Sequence, residues 1–166
     1  MTRYLYIVRH ASAEDSISFF KDYERELSPF GKTEATRMGS FLLNKGLTPD
    51  LLISSSAPRA FQTAQLLGEQ LGYSKDKIQS TRHLYDGGPR AYINTVNRAP
   101  ENCVHLMIIG HNPDASYFSD YLANTDIDSM AKGGVITIAF EDLQWSEVSA
   151  ETGKFISYNT PDQLLK

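Results

Sequence analysis

Tyr4-Leu5-Tyr6-Ile7-Val8 is an unbroken apolar run near the start of the chain, and it stops abruptly on Arg9-His10. A run this short, carrying β-branched Ile7 and Val8, reads as a strand buried on both faces, the condition of a central strand in a parallel sheet. Such a strand delivers its last residues to the carboxyl edge of the sheet, where open α/β proteins bind ligands. Arg9 brings a planar fork of donors suited to phosphate or carboxylate, and His10 a ring that serves as nucleophile or proton carrier near neutral pH. Taken alone, the pair fits either an anion site with chemistry in it or a surface pair closing a strand.

The same pattern recurs along the chain. Leu51-Leu52-Ile53 ends on Ser54-Ser55-Ser56, and the run from Val104 to Ile109 ends on Gly110-His111-Asn112-Pro113. Helical signals lie between these runs. Ser28-Pro29 supplies an N-cap and a first-turn proline ahead of Ala35, Met38 and Leu42, and Asn44-Lys45-Gly46 supplies the stop. Pro58 opens a second helix with Arg59 in its first turn and an apolar stripe of Ala60, Ala64, Leu67 and Leu71. A minor strand is expected over 77–80, a turn at Asp86-Gly87-Gly88-Pro89, a helix from about 90 to 98, and another from 113 to 122. Val135 to Phe140 and Trp145 to Val148 alternate around Glu141-Asp142 as an edge hairpin would. Strands alternating with helices predict a single α/β domain over residues 1–150, a mostly parallel sheet with helices on both faces. Residues 151–166 read as a polar, frayed tail.

Composition narrows the function classes. The 166 residues fit one domain with a substantial core, and the net charge of −4 argues against a broad nucleic-acid or anionic-lipid surface. Phosphate-binding groups must then be concentrated in one place. Cys103 is the single cysteine, which rules out an internal disulfide and agrees with a reducing compartment. Four scattered histidines without ligand spacing argue against zinc, and no metal or other cofactor is expected. The N-terminal stretch lacks the pattern of a signal peptide and no run is long enough to cross a bilayer, so the expected address is cytoplasmic.

If the three runs are parallel strands, Arg9 and His10, Ser54 to Arg59, and His111 line one carboxyl edge and form a cationic pocket. Arg59 and Asn112 then sit near helix N-termini, where free backbone N–H groups favour phosphate. With these residues assembled, the sequence resembles the histidine phosphatase superfamily, and within it the small SixA-type phosphohistidine phosphatases. The resemblance is carried by Val8-Arg9-His10-Ala11, Glu26-Leu27-Ser28-Pro29-Phe30-Gly31, Ser54 through Ala64, and Ile109-Gly110-His111-Asn112-Pro113, with Gly133-Gly134-Val135 as a weaker match. It implies the phosphoglycerate mutase-like fold in a compact form, without the large helical insertion of the mutases and acid phosphatases. It also implies that His10 accepts the phosphoryl group while Arg9, Arg59 and His111 bind its oxygens.

Chemistry fits these roles. Two arginine forks and a protonated His111 would stabilise the equatorial oxygens without metal, and a neutral His10 whose other nitrogen donates to a backbone carbonyl would attack. Asn112 is a further candidate phosphate ligand. The resemblance supplies no clear general acid, so Asp86 is the candidate by position, with Glu14 and Asp15 behind it. Ala11 stands where the wider superfamily has glycine, Ser56 where proline is usual, and Lys132 where threonine is common, adding a cation at the rim or facing water.

Several residues have plainer readings. Phe19, Phe20 and Tyr23 of the 11–26 loop are expected to cover an apolar edge, and Arg25 to anchor that loop. Tyr85 and Tyr92 read as core, His105 as packed in its strand and His83 as solvated. The expected activity is hydrolysis of protein phosphohistidine through a covalent intermediate on His10, by a monomer whose partner is a phosphohistidine domain. A phosphatase for small phosphate esters and a phosphate-binding module without turnover are the alternatives.

Overall fold

The computed structural model describes residues 1–15 and 21–164. Six strands, β1 (Thr2–Arg9), β2 (Leu51–Ser55), β3 (Gln79–Thr81), β4 (His105–Gly110), β5 (Val135–Glu141) and β6 (Lys154–Asn159), form one sheet in the order β3-β2-β4-β1-β5-β6. The first four are mutually parallel, β5 runs antiparallel to β1, and β6 antiparallel to β5. Helices α1 (Pro29–Asn44), α2 (Pro58–Leu71), α3 (His83–Asp86), α4 (Pro89–Asn97) and α5 (Asp114–Ala123) fill the crossovers, and α6 (Pro161–Leu164) follows the last strand.

Both faces of the sheet are buried, which explains why the central strands are continuously apolar. Leu5 and Ile7 of β1 with Leu106 and Ile108 of β4 face α4 and α5 through Tyr92, Val96, Phe118 and Leu122. Their neighbours Tyr6, Val8, Met107 and Ile109 face α1 and α2 through Met38, Leu42, Ala64 and Leu67. The period-2 alternation thus feeds two separate cores, and each central strand serves both.

The chain departs from the sequence reading near its C-terminus. Residues 154–159 are no frayed tail: they form β6, and buried Pro161 opens α6, which packs against α1. The domain therefore extends beyond residue 150. An edge strand covered on one face needs no continuous apolar run, so this polar stretch hides its role. The expected hairpin partner is also different. Trp145–Glu147 is a short 3-10 turn whose Trp145 is fully buried and donates from Nε1 to the Cys103 carbonyl at 2.7 Å. The indole is drawn into the core with Phe140 and leaves β5 to pair with β6. The minor strand lies at Gln79–Thr81, slightly later than expected. Phe19 and Phe20 lie outside the described residues.

Two glycines are fixed by close approach. A Cβ on Gly31 would lie 1.9 Å from the Ser12 carbonyl oxygen, where α1 meets the segment after β1. A Cβ on Gly110 would lie 2.1 Å from the Tyr92 hydroxyl. That hydroxyl donates to the Leu84 carbonyl at 3.1 Å and accepts from the His111 N–H at 3.0 Å, tying β4, α3 and α4 together inside the core. Tyr92→Phe leaves both backbone groups unpaired, at an expected cost of about 1–3 kcal/mol. Urea unfolding followed by circular dichroism should show a lower midpoint with an unchanged slope.

Candidate active site

The β1–β4 register sets Arg9 opposite Gly110, so the next residues of the two strands, His10 and His111, emerge side by side at the carboxyl edge. The His10 N–H donates to the Gly110 carbonyl at 3.0 Å, and the two imidazoles lie with centroids 5.1 Å apart at 54°. Both residues are buried. The Nδ1 of His10 is 2.7 Å from the Ala11 carbonyl, which can only accept, so Nδ1 carries the proton and Nε2 holds the free lone pair. Burial pushes the His10 pKa down to about 3 against the opposing backbone bond, aided by the charges of His111, Arg59 and Arg9. His10 is therefore neutral at neutral pH, with Nε2 able to attack an electrophile.

His111 places Nε2 at 2.8 Å from the Ser55 hydroxyl at the end of β2, and its buried Nδ1 has no partner among the described residues. Burial, then the charge of Arg59, lowers its pKa to about 4. This corrects the expectation of a protonated His111: in the free protein the ring is neutral near pH 7.

The two arginines are oriented by backbone carbonyls. Arg9 donates from Nη1 to Met130 O at 2.7 Å and keeps a buried Nε–H without a partner among the described residues. Arg59, on the first turn of α2 and 4% exposed, donates from Nη1 to Asp22 O at 2.7 Å and from Nη2 to Asp22 Oδ2 at 3.0 Å. Its Nε–H too is buried and, among the described residues, unpartnered. Two orphaned guanidinium donors and an orphaned imidazole nitrogen beside the His10 ring are what an oxyanion would satisfy.

The surrounding motif residues hold this arrangement. Thr63 on α2 accepts the Ala11 N–H at 3.1 Å and donates to the Arg59 carbonyl at 2.8 Å. Buried Glu34 accepts the Ser12 N–H at 2.9 Å, and Gln62 accepts the Leu27 N–H at 2.8 Å. Gly133 donates back to the Arg9 and His10 carbonyls at 3.1 and 3.0 Å, which gives the glycine pair before β5 its place at the site.

A polar cavity of about 320 Å³ opens here, lined by Arg9, His10, Asp22, Arg25, Arg59 and His111, with Asn112 and Lys132 at its margin. Lys132 is thus a rim cation. Asn112 is in place, but its amide is spent on scaffolding: Nδ2 donates to Ser129 Oγ at 3.0 Å and Met130 O at 3.3 Å, while Oδ1 accepts from Ser116 at 2.8 Å. Asp86, the candidate acid by position, does not line the cavity and is paired with Arg82 at 3.1 Å across one helical turn. Glu14 and Asp15 do not line it either.

Asp22 is the functional residue missing from the sequence reading. Its Oδ1 accepts from Arg25 at 2.8 Å, and its Oδ2 accepts from Arg59 and from the Tyr85 hydroxyl at 2.9 Å. Against the upward push of partial burial, the bonds from Tyr85 and Arg25 and the charges of Arg59 and Arg25 hold its pKa at about 2. Tyr85 is accordingly no core residue. It packs edge-on against His111 at 5.3 Å and against Tyr23 at 4.8 Å. Spacing hints at the ionic part only: Asp22 and Arg25 lie three apart in a short 3-10 turn, where their side chains meet. His105 behaves as expected, stacking on Tyr4 at 5.2 Å and bonding the Tyr6 hydroxyl at 2.9 Å. Among the described residues no group of three or more potential ligands is gathered to hold a metal ion, and no helix is long and apolar enough to cross a membrane.

Comparison with known proteins agrees with this geometry. Residues 5–85 match the profile of the histidine phosphatase superfamily (branch 1). An uncharacterized protein of Mycobacterium tuberculosis is 30% identical over 165 residues, covering 93% of this chain and 99% of its own. An uncharacterized chloroplastic protein of Arabidopsis thaliana is 25% identical over 162 residues, covering 92% and 73%. Among solved structures, a SixA chain from Nakamurella multipartitia superposes with a TM-score of 0.82 at 23% identity, covering 97% of each chain. The protein histidine phosphatase SixA complexed with tungstate gives 0.81 at 20% identity, covering 97% and 99%. A mycobacterial glucosyl-3-phosphoglycerate phosphatase gives 0.63 at 16% identity, covering 96% and 100%. With the fold and the profile in agreement, the chain belongs to the histidine phosphatase superfamily, branch 1.

Proposed function

We propose that the protein is a phosphatase for phosphohistidine carried on a protein, working through a covalent intermediate on His10. The observation that carries this reading is the state of Asp22, which among the described residues is the carboxylate lining the phosphoryl cavity. Held at about 2 by its partners, it is an anion at working pH and has no proton to give. His10 and His111 are likewise neutral. An alkyl ester oxygen departs poorly as an alkoxide without an acid beside it. A phosphorylated imidazole does not need one: its remote nitrogen takes a proton from water near neutral pH, and the ring leaves as neutral imidazole.

The steps follow from the geometry. A phosphoryl group in the cavity takes hydrogen bonds from the free Nε–H groups of Arg9 and Arg59 and from His111, and its charge raises the His111 pKa. The Nε2 lone pair of His10 forms the new P–N bond as the bond to the leaving imidazole breaks. The Ala11 carbonyl keeps the His10 Nδ1 proton in place, so phosphorylated His10 carries positive charge and is itself a good leaving group when water attacks. Asp22 orients Arg59 throughout. The similarity to a SixA fold complexed with tungstate, a tetrahedral oxyanion, supports this reading of the cavity.

Leaving-group dependence tests the proposal. Hydrolysis of a phosphohistidine peptide should exceed that of alkyl phosphates by orders of magnitude in kcat/KM, with aryl phosphates falling steeply as the phenol pKa rises. Asp22→Asn should leave that slope unchanged while raising KM about tenfold through a looser Arg59. A flat slope in the wild type, steepened by Asp22→Asn, would make Asp22 a general acid and favour a small-ester phosphatase. Anion binding without turnover of either substrate would favour a binding module.

The ring states make a separate prediction. Because both histidine pKa values lie below the ordinary 6.5, the unfolded chain binds more protons between about 4 and 6.5, and stability falls as pH drops through that window. In NMR titration of the free protein, the His10 and His111 ring signals should stay in their neutral positions from pH 8 to pH 5. Adding inorganic phosphate should move the His111 signals toward the protonated position within that range.

A further inference from the structure

A second depression, of about 560 Å³, is lined in part by His83 of α3 and by Gly87 at its C-terminal cap. Leu51 and Ile53 of β2 with Ala91 and Ala99 give it an apolar floor, and all three residues of β3 line one wall. The opposite wall is α4, which presents Arg90 and, at its C-terminal cap, Arg98. Among the described residues no aspartate or glutamate lines the groove, in a chain whose net charge is −4. Both arginines are exposed, and among the described residues neither makes an ion pair.

Three further observations define what fits. β3 is the edge strand of the sheet and pairs on one side, with β2, so its outer backbone groups are open to an added strand. Arg90 and Arg98 are separated by about 12 Å of helix rise, close to the reach of four extended residues. The groove also shares a wall with the active site: His83 of α3 lines the groove, while Tyr85 of the same turn touches His111 and Asp22. The groove and the active site are therefore linked through this one turn of helix.

We propose that the β3–α4 groove docks an acidic, extended segment of the phosphoprotein substrate, with carboxylates meeting Arg90 and Arg98 and apolar side chains resting on the Leu51–Ile53 floor. This rests on the phosphohistidine reading and adds the feature by which one phosphoprotein is chosen over another. Charge reversal on exposed side chains remote from the chemistry then acts on substrate capture alone.

The test uses two synthetic phosphohistidine peptides with the same centre, flanked on both sides by eight residues rich in either glutamate or lysine, and phosphoramidate as a small substrate. The wild type should favour the glutamate peptide by about tenfold or more in kcat/KM, through KM. Arg90→Glu with Arg98→Glu should abolish that preference and leave phosphoramidate turnover unchanged. The same charge change at exposed Lys32 and Arg37 on α1 should leave the preference intact. A preference that is absent, or that survives the Arg90/Arg98 double variant, overturns the groove assignment while the phosphohistidine reading stands. Turnover of phosphoramidate with neither peptide discharged overturns both.

Discussion

The parallel pairing of β1 with β4, with Arg9 opposite Gly110, is the constraint on which the active edge depends. It sets two histidines from residues far apart in the chain at adjoining strand ends, and the His10 N–H bond to the Gly110 carbonyl locks their spacing. Because the side-chain period of a strand is two, a register slip of one residue would turn His10 out of the cavity and invert both cores at once. The apolar alternation of Leu5, Tyr6, Ile7 and Val8 between the two faces therefore also guarantees the position of the chemistry.

On this scaffold the site is built from groups that are unfavourable without a ligand. Among the described residues, Arg9 and Arg59 leave buried Nε–H donors unpaired, and His111 leaves a buried ring nitrogen unpaired. Neutral histidines lessen the repulsion among so many donors, and the Asp22 carboxylate offsets part of the arginine charge while fixing the Arg59 plane. A phosphoryl group would then satisfy donors already in position, so that little reorganisation accompanies the transfer. The same arrangement leaves Asp22, the carboxylate of the cavity among the described residues, without a proton to give, and the proposed preference for a nitrogen leaving group follows from that deficit.

Much of this was legible in the sequence because it is written in local patterns. Short apolar runs that end on Arg9-His10, Ser54-Ser55 and Gly110-His111 specify parallel strands and their functional edge together, and Ser28-Pro29 and Pro58-Arg59 mark the helices that follow. What was hidden depends on contacts between distant segments. Asp22 matters through Arg59 and Tyr85, and no periodicity connects the three. Asn112 occupies its expected place, but its amide is consumed by Ser129, Met130 and Ser116, a use that spacing does not reveal. At His111 burial outweighs the ordinary tendency of a histidine beside a phosphate site to be charged, and burial is not written in the local sequence. β6 escaped notice because an edge strand with Lys154, Phe155 and Ile156 exposed lacks the apolar run that marks β1 and β4.

The account stands or falls on His10 as the acceptor of the phosphoryl group. Radiolabelled phosphoramidate mixed with the protein in the presence of a chelator, quenched in alkali within milliseconds, should yield an alkali-stable, acid-labile phosphoenzyme that is absent in His10→Ala. Phosphate release with no such species, or a phosphoenzyme that persists in His10→Ala, would contradict it.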